Sequence, residues 1–294
     1  MIQSRTLSAK ATDIGIMLLL IVIGLSCLAP ILHTLAVSLS SAGSAAAGFV
    51  TFWPREATFG AYRTIMEDEK FFLAFLVSLK RVAIGTALGF VLTVMTAFPL
   101  SREKREFRIR NVYMWFFVFT MMFNGGLIPW YMTIRDLNLI DSIWALVLPG
   151  AVSVFNIILV MNYYKSIPKE LDESASMDGA GAWYMLLRIY LPLSIPVLAT
   201  VTLFMVIGHW NSFFDGLILM NRTENYPLQT YVQQLVVQID PNKLTSDQLD
   251  LIQKVSNRTL SAAKIFVTMI PILVLYPFLQ KYFITGIMLG SVKE

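Results

Sequence analysis

The chain has 294 residues, 56% of them hydrophobic and 14% charged, with a formal net charge of +4 and a mean hydropathy of +0.64. That is more apolar surface than one soluble core of this size buries, so an ordinary soluble domain is excluded and a membrane protein is indicated. The single Cys27 excludes a disulfide framework or a cysteine-based metal site within the chain. The positive charge is accounted for by loop cations, which removes the argument for a nucleic-acid partner.

A helix rises about 1.5 Å per residue and the hydrocarbon core is about 30 Å thick, so a span needs roughly 20 apolar residues. Residues 14–39 form the first such run. Arg5 and Lys10 ahead of it, with Ala45 and Ala47 behind, imitate a signal peptide. The run exceeds the roughly 7–15 residues of a signal core, however, and is read as a retained span. The second span covers 72–100 and carries Lys80 and Arg81 in its outer third. Spans three and four follow at 111–134 and 142–164, span five at 189–220, and span six at 265–289, where Lys281 snorkels. The predicted fold is therefore all-α: one polytopic transmembrane domain of six helices. The connector 101–110 holds Arg102, Lys104, Arg105, Arg108 and Arg110, whereas 40–70 is dominated by Glu56, Glu67, Asp68 and Glu69. The positive-inside rule then puts 101–110, the loop 165–188 and both termini, with Arg5, Lys10 and Lys293, in the cytoplasm. The long Gln-rich loop 222–263 faces outward, where a soluble partner docks.

The loop between spans four and five is too structured to be a tether. Pro168 suits a first helical turn, and Glu170, Asp172 and Glu173 complement the helix dipole. Gly179 permits a reversal of the backbone, after which a second apolar run from Trp183 leads into Leu191-Pro192. Ser174, Ala175, Ser176, Ala180 and Ala182 are small, so a neighbouring protein can approach the backbone while the carboxylates meet its cations.

Glu173, Ala175, Gly179, Ile189, Leu191 and Pro192 fall on a pattern of Glu-Ala-Ala, three residues, Gly, nine residues, Ile, one residue, Leu-Pro, with Ser174 replacing the first Ala. In this the chain resembles the membrane subunits of ATP-binding-cassette importers of type I. Ser166 to Leu171, Met177 to Ala180, His209-Trp210-Asn211 and Gly286 to Lys293 are similar to the carbohydrate branch. Phe123 to Pro129 and Leu148 to Ala151 resemble its subgroup for larger or uronate-containing oligosaccharides. The resemblance implies coupling to an ATPase through Glu170, Asp172, Glu173, Ala175, Asp178, Gly179 and Ala180. It also implies two ATP-binding-cassette subunits, a second permease forming the other half of the path, an extracytoplasmic solute-binding protein and a bacterial inner-membrane location. No phosphate-binding loop of the type G-x-x-x-x-G-K-[ST] occurs. ATP and Mg are thus assigned to the partner subunits, and the chain is not read as an enzyme.

Polar and aromatic residues within spans mark the candidate path. His209, Trp210, Asn211, Phe213, Phe214 and Asp215 end the fifth span; they either line a sugar path or form an interfacial aromatic belt. Asn124, beside Gly125-Gly126, and Asn156 either line a cavity or bond a neighbouring helix. Lys80 and Arg81 either snorkel outward or, with Arg135, give the vestibule a positive field for acidic substrates. Two histidines, His33 and His209, in different spans do not make a metal site. The tripeptides beginning at Asn221 and Asn257 match glycosylation sequons by chance. A secondary transporter driven by an ion gradient is the alternative, disfavoured because the uncharged runs, the fifth of them 189–214, lack Asp and Glu and because no internal repeat is visible. An intramembrane protease lacks its motifs.

Overall fold

The computed structural model describes residues 7–237 and 258–291. Arg5, Lys293, the sequon at Asn257 and residues 238–257 of the predicted outer loop lie outside them. Among the described residues every regular element is helical. Three helices are long and apolar enough to span a bilayer, and three further bent pairs bring the number to six if each pair is one span. The chain divides into two compact units, residues 1–69 with 234–270 and residues 70–233 with 271–294.

The first unit contains α1 (Leu7–Ser38), α2 (Ala42–Ala46), α3 (Gly60–Met66) and the start of the last helix, α15 (Arg258–Ser291). From Ile14 to Leu28 the apolar side chains of α1 stay exposed, as they do where lipid is the solvent. Its last turns pack, with Ala36 and Val37 joining Ala45, Val50 and Ala262. Lys264, buried on α15, reaches Asp68 at 2.6 Å, and Arg258 donates to the Ala45 carbonyl at 3.3 Å.

The second unit is organised by α4 (Glu69–Ser101). Its buried residues Phe71, Ala74, Ser78, Arg81, Gly85, Gly89, Thr93, Ala97 and Leu100 recur every three or four positions, which places them on one face. The other helices of this unit are α5 (Arg110–Met122), α6 (Leu127–Asp136), α7 (Ile143–Val147), α8 (Val154–Ser166), α9 (Lys169–Met177), α10 (Ala182–Tyr184), α11 (Leu191–Leu193), α12 (Ile195–Asn211), α13 (Phe214–Leu219) and the first part of α14 (Leu228–Val237). The main core joins the lower half of α4 to α8 and α12 through Val94, Phe98, Ile157, Val160, Tyr164 and Val201.

Three predicted spans are broken by bends of more than 40°. Span three turns by 113° between α5 and α6, where Gly126 has φ +91° and its N–H is taken by Asn124 Oδ1 at 2.9 Å. Span four bends by 47° across residues 151–153, just after the tight turn Leu148–Gly150 that contains Pro149, and Ser153 caps α8. Span five bends by 83° at Ser194. There Pro192 and Pro196 remove two backbone donors, and the preceding turns, Met185–Tyr190, are wound as π-helix. The helices extend differently from the apolar runs: the first helix of the fifth pair begins at Ala182 and its long helix stops at Asn211, and α15 begins at Arg258.

Candidate functional site

A cavity of about 500 Å³ opens beside α4, walled by Arg81, Pro149, Gly150, Asn156, Met205 and His209. Beside it, Gly85 and Gly89 bring α4 and α12 close together. A Cβ built at Gly85 would lie 2.6 and 2.7 Å from His209 Cε1 and Cδ2, and one at Gly89 would lie 3.3 Å from both Met205 Sδ and the Ala151 carbonyl oxygen. Two glycines four apart on one helix face thus let α12 lie against the α4 backbone, the small-residue packing common between membrane helices.

Arg81, only 3% exposed, forms a forked pair with Asp215: Nη1 donates to Oδ1 at 3.1 Å and Nη2 donates to Oδ2. Nη1 also donates to the Ser212 carbonyl at 3.1 Å. That carbonyl belongs to the gap between α12 and α13, where helical hydrogen bonding stops. Asp215 completes the gap by accepting from Ser212 Oγ at 2.8 Å and from the Gly216 N–H at 2.9 Å. Arg81 therefore neither snorkels nor presents a free charge. Arg135 is exposed and pairs with its neighbour Asp136 at 3.0 Å, while Lys80 is exposed on α4.

Of the predicted path residues, Asn156, His209 and Asp215 meet at this cavity. Trp210 does not. It is 3% exposed and sits edge-on against Phe75, with ring centroids 5.8 Å apart, so it is neither a sugar platform nor part of an exposed belt. Asn211, Phe213, Phe214 and Asn124 are exposed and do not line the cavity. The wall residues missed from sequence are Pro149 and Gly150; Gly85 and Gly89, whose G-x-x-x-G spacing on an apolar helix was the available signal, set the close approach of α12 beside the cavity.

At the opposite end of α4 lies the Glu-x-Ala-x-x-x-Gly segment. Helix α9 ends in a Schellman motif: Ala180 N–H donates to Ala175 O at 2.9 Å, Gly179 N–H to Ser176 O at 3.1 Å, and Gly179 has φ +77°. Leu171, Ser174, Ala175, Asp178, Gly179 and Ala180 border an open groove of about 730 Å³. Glu170 and Glu173 are exposed. Asp172 turns away from the groove, accepting from Arg102 Nη1 at 2.8 Å and from Tyr190 Oη at 2.7 Å. The expectation that it offers its carboxylate outward is corrected accordingly: the Arg102 guanidinium, which lies over the Phe98 ring at 4.3 Å and the Tyr190 ring at 4.6 Å, has claimed it. Beside this, Lys169 pairs with Glu103. The hydrogen bond from Lys169 holds the Glu103 carboxyl below the usual range, and the same bond raises the Lys169 ammonium.

On the side of the unit nearer Arg81, Asp141, at φ +62°, accepts from the backbone N–H groups of Asn221 and Arg222 at 3.2 and 3.3 Å and from Asn225 Nδ2 at 3.0 Å. It ties the connector after α6 to the turn after α13.

The family described as "Binding-protein-dependent transport system inner membrane component" matches residues 71–289. The polygalacturonan/rhamnogalacturonan transport system permease protein YtcP of Bacillus subtilis (strain 168) is 34% identical over 274 residues, 93% of this chain and 95% of that protein. A chain of a bacterial ABC transporter involved in the import of the acidic polysaccharide alginate superposes with a TM-score of 0.86 at 32% identity, covering 95% of this chain and 99% of that one. A second chain, from the alginate transporter in complex with alginate pentasaccharide-bound periplasmic protein, matches with a TM-score of 0.54 at 17% identity over 91% of this chain and 94% of that one, a likeness of fold.

Proposed function

The chain belongs to the family of binding-protein-dependent transport system inner membrane components, and from that premise we propose that it forms half of a path for acidic, uronate-containing oligosaccharides. Transport in this family is ATP-driven and the chain is a multi-pass inner-membrane permease, so the ion-gradient alternative does not hold. The observation that carries the substrate reading is that two relatives above 30% identity, each matched over more than nine-tenths of this chain, serve polymers of acidic sugars.

In this reading the cavity at Asn156 and His209 contacts the sugar. A carboxylate passing Arg81 meets a neutralised pair rather than a bare cation, and Arg135 is paired with Asp136, so attraction at long range falls to exposed Lys80. The groove along α9 receives a separate ATPase on the cytoplasmic side, with Glu170, Glu173, Ala175, Asp178 and Gly179 as contacts. A second permease subunit and a solute-binding protein complete the transporter.

The test is uptake by the reconstituted transporter of oligogalacturonate against neutral oligosaccharides of equal length, each delivered by its binding protein. Oligogalacturonate is expected to be taken up and to stimulate ATP hydrolysis. Equal uptake of the neutral sugars overturns the acidic assignment. Neutralising Lys80 should slow uronate uptake more than neutral uptake, with the difference vanishing at high salt.

A further inference from the structure

Helix α9 has two differently occupied faces. One borders the open groove. The other carries Lys169 and Asp172, three positions apart and therefore neighbours, and both are bonded to the residues that follow α4: Lys169 to Glu103, Asp172 to Arg102. Arg102 is further held by Arg110, whose Nη1 donates to its carbonyl at 2.7 Å. Asp172 also takes the Tyr190 hydroxyl, and Tyr190 lies in the π-wound stretch that leads into α12. One carboxylate thus joins three elements: α9, the end of α4, and the run from α10 to α12.

Those last two elements meet again. From Arg102 back to Arg81 helix α4 runs for roughly 30 Å, with Pro99 in its last turn as its internal proline. The other arm, from Tyr190 to Asp215, contains the end of the π stretch, the 83° bend at Ser194 and the gap at Ser212. The Arg81–Asp215 pair closes the far end at the cavity. A stiff rod and a hinged arm are pinned together at both ends. A push on α9 therefore cannot be absorbed locally: α4 carries it along its length, and the change in geometry collects at the breaks in the hinged arm, next to the cavity wall.

We propose that Asp172 and Arg102 are positioning residues that pass the displacement of α9 to the cavity through α4, rather than contacts of the ATPase. The proposal rests on the coupling role given to α9 above.

It is tested in the complete transporter, reconstituted with its partner permease, ATPases and binding protein and supplied with oligogalacturonate. Uptake and binding-protein-stimulated ATP hydrolysis are measured together for Asp172→Asn, Arg102→Gln and the double variant. Each single variant is expected to lower uptake per ATP about tenfold, a coupling change of ordinary size, while stimulated hydrolysis stays within about twofold. The double variant is expected to be no worse than the worse single one, the signature of a shared interaction. Tyr190→Phe, which removes one hydroxyl and keeps the ring, should give a milder loss of about threefold and covers the case in which the charge variants fail to assemble. Proportional loss of uptake and hydrolysis would place Asp172 at the ATPase surface and overturn the proposal. So would unchanged uptake per ATP, or additive losses in the double variant. Absence of stimulated hydrolysis in the unmodified transporter is a different failure, that of the coupling reading itself.

Discussion

Arg81 on α4 and Asp215 on α13, 134 positions apart in sequence, share two parallel hydrogen bonds at the wall of the cavity. Arg81 is almost wholly enclosed, so the pair stands or falls together. Removing one partner leaves a charge that neither water nor lipid solvates, at a cost of about 3–5 kcal/mol, whereas replacing both with apolar groups of similar size is far milder. Asp215→Ala is accordingly expected to lower the thermal midpoint of the purified protein sharply, and Arg81→Met with Asp215→Leu to recover most of it. A double variant as unstable as the single one would contradict the pairing.

The spans were legible in sequence because lipid requires long uncharged runs, and the Glu-x-Ala-x-x-x-Gly spacing marked α9 and its turn because a Schellman ending needs glycine at Gly179. The breaks were half legible. Asn124-Gly125-Gly126 and Leu148-Pro149-Gly150 stood out as text, and the structure sets the first within the break of span three and the second just before the break of span four. Hydropathy has no term for who faces whom. It therefore could not tell that Arg81 points inward to Asp215, that Trp210 is buried on Phe75, or that Asp172 faces Arg102. Each of those depends on a contact between distant segments.

Gly85 is where the His209 ring meets the α4 backbone. Gly85→Ala has no space for its methyl group unless the imidazole moves, an overpacking cost of about 1–3 kcal/mol. Its effect should shrink when combined with His209→Ala, which empties the space. Thermal unfolding of the two single variants and the pair measures this; additive losses would show that the close approach is not the cause.

Gly179 separates backbone strain from docking. Its φ of +77° penalises any side chain, yet nothing lies within 4 Å of a Cβ built there. Alanine and tryptophan therefore incur a similar conformational cost of about 1–2 kcal/mol, and any further difference reports what enters the open groove. Gly179→Ala is expected to retain much of the uptake and Gly179→Trp to abolish uptake and stimulated hydrolysis, with binding-protein affinity for sugar unchanged. Equal effects of the two variants would confine the role of this glycine to the turn.

Asp141 offers a pH test. Burial pushes its carboxyl up, but hydrogen bonds from Asn225 and from the Arg222 and Asn221 backbones, with the Arg222 charge, outweigh that and hold it below its ordinary value. A carboxyl depressed in the folded state contributes stability that is fully present above its unfolded pKa and is lost only as pH falls through the lower folded value. Amide exchange at 221–225, corrected for intrinsic rates, should thus show constant protection from about pH 5 to 8 and lose it in acid below about pH 4. Asp141→Ala removes the acceptor of three hydrogen bonds and places alanine at φ +62°. It should reduce protection of this segment by an amount equivalent to about 1–3 kcal/mol between about pH 5 and 8, and by little in acid, where the wild type has already lost the contribution. Asp141→Asn, which tolerates the left-handed backbone and keeps one acceptor oxygen, should lose less and abolish the acid transition. An acid transition that survives in Asp141→Asn would assign it to another group.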